Sequence, residues 1–213
     1  MNKKSSEKTI NQPKQARSIK TMNNLLDTAQ QMLIDSTFDK SNIQEIVKKA
    51  NSSVGSFYSL FKSKSNLLET LLDRYMDWLI DLAKDFNTNK KNLIPDIEKR
   101  AELFINKFIK VNRQEAGMLR ARFIYKLTNE DSVPAARLEK NKIFLIEMMK
   151  YFEPCIGQIN NPKPEEALIF ILELIDIYIG EKIMFEADRK VSYKKLREEC
   201  LRLFINYLGI KYS

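Results

Sequence analysis

The sequence predicts an all-α protein, and three observations carry that reading. Helix breakers are scarce, with 5 glycines and 6 prolines in 213 residues. Leu, Ile, Lys and Glu, which suit helix interiors or their packed faces, are abundant. Apolar residues recur at helical spacing in successive stretches, with cap-type residues at several of their starts. No stretch reads as a strand, and about nine helices are expected.

The first helix is expected from Ala16 to Asp35, with Leu25, Leu26, Ala29, Met32 and Leu33 on one face. The second starts at Asn42 and ends near Ala50, because Asn42 and Glu45 have the spacing of an N-cap with an acid three residues on. The third runs from Val54 to Phe61 behind a Ser53 cap, with Val54, Phe57 and Phe61 at i, i+3 and i+7. The fourth follows Ser63 and reaches Phe86, with Leu67, Leu71, Tyr75, Trp78 and Leu82 among its apolar positions. A polar linker, "NTNKKN", then separates this block from the rest. Further helices are expected from Pro95 to Arg113, Glu115 to Leu127 and Ser132 to Phe152, with Pro95 suited to a first helical position. After the loop "GQINNPKP" come a long apolar helix from Glu165 to Ala187 and a last one from Ser192 to Leu208. Gly209 is its C-terminal signal.

With 44% hydrophobic and 30% charged residues the chain reads as globular. The net charge of +8 is unevenly spread. Residues 1–20 carry +5, residues 21–72 carry 0 and residues 73–213 carry +3. Residues 1–15 therefore read as a flexible basic arm suited to a polyanion. Two cysteines, Cys155 and Cys200, make no disulfide framework. The basic start is followed by no apolar leader, and the run "ALIFILELIDIYIG" is broken by Glu173 and Asp176. A reduced cytoplasmic protein without a membrane span is expected. The chain has no histidine and no G-x-x-x-x-G-K-[ST] loop, and neither cysteine has a histidine base. No enzymatic role, metal or cofactor is expected.

The chemistry concentrates in "SSVGSFYSLFKSK", residues 52–64. Two short helices joined by "ANSS" have helix-turn-helix proportions. Such a motif lays its second helix in the DNA major groove. Gly55 lets that backbone come close, since no Cβ stands in the way. Ser53, Ser56 and Ser59 can bond phosphates or bases, and Tyr58 can reach the sugar-phosphate backbone. Lys62 and Lys64 are placed for phosphates, and Phe57 and Phe61 are expected in the core.

"NIQEIVKKANSSVGSFYSLFKSKSNLL" resembles the DNA-binding signature of the TetR (tetracycline-repressor) family of bacterial regulators. Ala50, Ser53, Gly55, Tyr58, Phe61, Lys64 and Leu67-Leu68 carry the resemblance, together with the preceding "NLLDTAQQMLIDSTFDKSN". It covers residues 16–72, which sets the expected DNA-binding domain, leaving 73–213 as the second domain. Asn51 stands where the family usually has glycine, Ser52 where a small apolar residue is usual, and Asn42 where a threonine cap is usual. Val54 replaces a basic residue and Ser59 a larger polar one. The recognition helix thus carries no charge, so base contacts fall to Ser56, Ser59 and Gln44. Affinity then leans on Lys62, Lys64, the caps and the arm, with a steep salt dependence.

The resemblance implies that residues 73–213 dimerise and bind a small-molecule effector that releases a pseudo-palindromic double-stranded DNA operator. Pairing of the last two helices with their symmetry mates would form a four-helix interface. Residues expected at the effector are Trp78, Phe104, Phe108, Met118, Arg122, Tyr125, Met149 and Tyr178, with Phe123 and Met148 beside them. A second reading stays open: a DNA-anchored helical interaction protein, in chromosome organisation or division control, with little sequence specificity.

Overall fold

The computed structural model describes residues 16–128, 135–185 and 192–211. The expected arm over residues 1–15 lies outside them, as do the expected helix start at Ser132 and end at Ala187. The described residues form nine α-helices and no strand. These are α1 (Ala16–Ile34), α2 (Ile43–Lys49), α3 (Val54–Leu60), α4 (Lys64–Thr88), α5 (Ile97–Gln114), α6 (Ala116–Thr128), α7 (Ala135–Phe152), α8 (Pro164–Phe185) and α9 (Tyr193–Leu208). The chain divides into two compact units, the first ending at Tyr75 and the second starting at Met76, within α4.

In the first unit, α1 to α3 and the start of α4 close around one core. Leu25, Leu26, Ala29, Ile46, Phe57, Phe61, Leu67 and Leu71 are all buried. Phe57 and Phe61 stack obliquely with centroids 5.7 Å apart. Burial of each such ring contributes roughly 1.5–3 kcal/mol. Ser63 Oγ accepts the Asn66 N–H at 3.0 Å, and the buried Asn66 Oδ1 accepts the Lys62 N–H at 3.2 Å. This reciprocal pair starts α4 beside the core. Arg74 on α4 bonds Asp27 and Gln30 of α1 at 2.7 and 3.1 Å.

In the second unit α5, α7, α8 and α9 share a core that includes Phe104, Phe152, Leu168, Ile171, Ile175 and Phe204. The expected linker is not one. α4 runs on to Thr88, a 3-10 turn follows at Lys90–Asn92, and Asn92 is tied in on both sides. Its Nδ2 donates to the Phe86 carbonyl at 2.9 Å, and its own carbonyl accepts the Tyr151 hydroxyl at 2.9 Å. Pro95 precedes α5 rather than opening it. Asp96 is the N-cap, accepting the Lys99 N–H at 2.8 Å, which is the stronger start signal. Arg100 is buried because its guanidinium donates to the carbonyls of Ile94 and Tyr151 and lies over the Tyr151 ring.

Three helices end in the same way, and only one does so with glycine. Ser36, Asn51 and Gly209 have φ of 56°, 48° and 62°. In each case this residue's N–H bonds three residues back and the next N–H bonds five back. The pairs are Ser36 to Leu33 and Thr37 to Met32, Asn51 to Lys48 and Ser52 to Val47, and Gly209 to Asn206 and Ile210 to Ile205. These are Schellman ends, which satisfy otherwise orphaned carbonyls. Gly209 has a second reason: a Cβ there would lie 2.6 Å from the Asn160 carbonyl oxygen.

α8 is apolar over more of its surface than the core of its own unit covers. Leu168, Ile171, Leu172, Ile175 and Ile179 face the core, but Phe170, Leu174 and Ile177 are exposed.

Candidate nucleic-acid interface and effector cavity

α2 and α3 are seven residues each, so their geometry depends on the ends rather than on length. Asn42 Oδ1 accepts the Glu45 N–H and Glu45 Oε2 accepts the Asn42 N–H, both at 2.9 Å. The left-handed Asn51 then turns the chain; the asparagine is suited to the conformation that the usual glycine supplies. Ser53 opens α3, its Oγ accepting the Ser56 N–H at 3.1 Å and lying 2.9 Å from the Ser56 hydroxyl. Phe57 and Leu60 anchor the inner face of α3.

The outer face of α3 holds Val54, Gly55, Tyr58 and Ser59, all exposed, with Ser56 at its edge. Tyr58 stands braced edge-on against Phe57, centroids 5.5 Å apart. Ser59 Oγ donates to the Ser56 carbonyl at 2.8 Å. Gln44 and Asn42 are exposed at the start of α2, and Lys62 is exposed after α3. A Cβ on Gly55 would meet nothing closer than Ser53 Oγ at 4.0 Å.

Lys64, expected at a phosphate, directs its ammonium to the connection between α1 and α2. Nζ donates to the carbonyls of Phe38, Asp39 and Ser41 at 2.6, 3.1 and 2.8 Å, and lies 4.6 Å from the Phe38 ring centroid. All three protons of the ammonium are thereby directed to backbone. Lys64 latches the α1–α2 connection onto α4.

In the second unit, three helices line a half-open apolar cavity of about 50 Å³. Each contributes residues at i, i+3, i+4 and i+7: Leu79, Leu82, Ala83 and Phe86 from α4; Phe104, Lys107, Phe108 and Val111 from α5; Phe144, Glu147, Met148 and Tyr151 from α7. Asn87 completes it, donating to the Glu147 carbonyl at 2.9 Å and to Oε2 at 3.2 Å. Lys150 bonds Glu147 Oε1 at 2.8 Å. Burial pushes the Tyr151 hydroxyl up to about 12, so it stays a neutral donor.

Of the expected effector residues, Phe104 and Phe108 line this cavity, and so does Met148. Met149 and Tyr178 pack against the core of α5, α8 and α9 instead. Met149 is one residue, about 100° of helix, away from Met148. Met118 is fully buried, and Tyr125 is buried under the Arg137 guanidinium, 4.6 Å from its ring. Trp78 is 42% exposed. Arg122 lines a separate cleft beside Phe123, where it pairs with Asp176 at 3.5 Å. Asn87, Lys107 and Glu147 also line the cavity and are not among the residues expected at the effector. Their helical spacing was legible, but the same stripe could equally have lined a solid core.

A helix-turn-helix followed by further helices, with no strand among the described residues, defines a class of fold, the all-α helix-turn-helix proteins. Residues 25–71 match the model of the bacterial regulatory proteins of the tetR family. The likeness extends over the whole fold. A protein of Mesorhizobium loti MAFF303099 assigned to the TetR family of transcriptional regulators has a TM-score of 0.72 at 18% identity, covering 92% of this chain and 98% of that one. The fatty acid degradation regulator FadR of Bacillus halodurans has a TM-score of 0.64 at 16% identity, covering 94% and 100%. SmeT, the repressor of the Stenotrophomonas maltophilia multidrug efflux pump SmeDEF, has a TM-score of 0.61 at 15% identity, covering 91% and 94%. No curated protein sequence matches. The described residues have the same all-α fold as these TetR-family structures, and residues 25–71 carry the resemblance to the family in sequence. The matched family and these structures are regulators rather than enzymes. No described helix is long and apolar enough to cross a membrane.

Proposed function

We propose that this chain is a cytoplasmic, homodimeric repressor that binds a pseudo-palindromic operator and is released by a small molecule. One observation carries the DNA-binding part. Gly55 is exposed on α3 with room for a Cβ, although glycine in a helix costs about 1 kcal/mol. Nothing inside the protein requires it, so the requirement comes from a surface that approaches from outside. Around it lie Tyr58, Ser56 and Ser59 for phosphates and base edges, with Asn42, Gln44, Ser53 and Val54 at the helix starts and Lys62 at the rim.

The dimer reading rests on α8 and α9. Phe170, Leu174 and Ile177 stand at i, i+4 and i+7 and are 49%, 37% and 68% exposed. Leu203 and Tyr207 continue the strip on α9, with the rings of Phe170 and Tyr207 5.0 Å apart. An exposed apolar strip across two helices suits a second copy of itself. Repression is proposed by likeness to SmeT, which is a repressor, and release by a small molecule on the cavity of the second unit.

The test is to select binding fragments from the encoding genome with purified protein, then titrate salt on the best one. A short pseudo-palindrome bound far above random DNA, with half-sites about 34–36 Å apart, is the expected result. Equal binding of every fragment, abolished by salt, would overturn it. The helix-turn-helix with its basic flanks would then be only an electrostatic anchor, and the interaction-protein reading would stand.

A further inference from the structure

The effector cavity shares a wall with an outer groove of about 430 Å³. Leu82, Phe86 and Lys107 line both spaces. Inward of them are rings and hydrocarbon. Outward are Asn89, Asn92 and Asn106, with Lys110 one turn of α5 beyond Lys107. Lys107 and Lys110 are both exposed, and no ion pair engages either among the described residues. Asp85 is the carboxylate that lines the same groove. The inner carboxylate, Glu147, is already compensated by Lys150 and Asn87. With two lysines against the one Asp85 carboxylate, the groove carries one positive charge in excess, at the mouth.

We infer that the effector is an amphiphilic anion, its slim apolar tail among Phe86, Phe104, Phe108 and Met148 and its carboxylate outside on Lys107 and Lys110. The inference rests on the reading of this cavity as the effector site. At about 50 Å³ the cavity is far smaller than the roughly 300–1,000 Å³ of drug-sized pockets. A bulky or branched guest is disfavoured, whereas an unbranched tail needs only rotamer shifts of pliable side chains such as Met148. A neutral guest gains nothing from the two lysines. A cation is repelled by them and has to displace Lys150 from Glu147.

The experiment is calorimetry on the full chain with three probes of equal length: decanoate, decanol and decyltrimethylammonium, each below its micelle-forming concentration. Decanoate is expected to bind about three- to tenfold more tightly than decanol, the scale of two exposed ion pairs. Lys107→Gln with Lys110→Gln should bring decanoate to the decanol level and leave decanol unchanged. Ala83→Phe, which fills the cavity, should abolish both, with thermal unfolding as the check on its fold. Equal binding of decanoate and decanol, indifferent to the lysines, overturns the anion but keeps the cavity as the effector site. Preference for the cation does the same. No binding of any probe, or binding that survives Ala83→Phe in a folded variant, overturns the inference together with the effector-cavity reading, while operator binding by the unliganded protein is scored separately.

Discussion

The Nζ of Lys64 lies 2.6 Å from the carbonyl oxygen of Phe38 and 4.6 Å from the centroid of the same residue's ring. One ammonium thus holds a backbone turn and covers an aromatic face. Two further carbonyls, of Asp39 and Ser41, complete its shell. Lys64→Met keeps the aliphatic stem but removes the ammonium, so it should destabilise the first unit by about 1–3 kcal/mol, the range for bonds to a charged donor. Hydrogen exchange at residues 38–41 should speed up. The salt slope of DNA binding should stay as it is. A slope flatter by about one unit, with stability unchanged, would return Lys64 to a phosphate.

Gly55→Ala separates folding from binding. Helix propensity favours alanine by about 1 kcal/mol, and the Cβ has open space. Thermal stability should rise slightly while operator affinity falls by tenfold or more. Unchanged affinity would remove the close approach proposed at this position.

The left-handed helix ends respond in opposite directions. Ser36→Gly should stabilise by about 0.5–1 kcal/mol, since a non-glycine residue there is strained. Asn51→Ala should cost about 1 kcal/mol. Gly209→Ala should cost most, because strain adds to a clash with the Asn160 carbonyl. Urea unfolding midpoints at constant slope check all three.

Ile177→Glu places a charge on the most exposed residue of the α8 strip. A folded monomer by sedimentation, with much weaker operator binding, is the expected outcome. A variant that still sediments as a dimer would place the interface elsewhere.

Alkaline pH should weaken the fold through Cys200 and Tyr151. Burial pushes the Cys200 thiol up from 9.0 to about 12, with the Glu199 carboxylate adding to it, and pushes Tyr151 up from 10.0 to about 12. Above pH 9 the unfolded chain has lost protons that the folded chain keeps. Stability is therefore full below pH 9 and falls as pH rises towards 12, by about 1.4 kcal/mol per pH unit for each group in its window. Cys200→Ala should remove the part that begins at pH 9. Neither Cys155 nor Cys200, both buried, should react with a thiol reagent until the protein unfolds.

What the sequence determined by itself was local. Asn42 with Glu45, Ser53 with Ser56 and the i, i+3, i+4 apolar rows act within one turn of helix, so neighbours in sequence suffice to read them. The helix-turn-helix belongs here, since nearly all of it lies within residues 42–64. The tertiary structure decided what depends on partners far along the chain. Lys64 takes its carbonyls from more than twenty residues upstream, which no reading of its neighbours in sequence would find. Asn87 was read as linker because its partner, Glu147, lies 60 residues on. The cavity is the clearest case. Three helices carry rows of the same spacing as any core helix, and only their packing decides whether the rows meet or leave a space between them. Periodicity names the face that is buried, and packing alone determines how closely that face is filled.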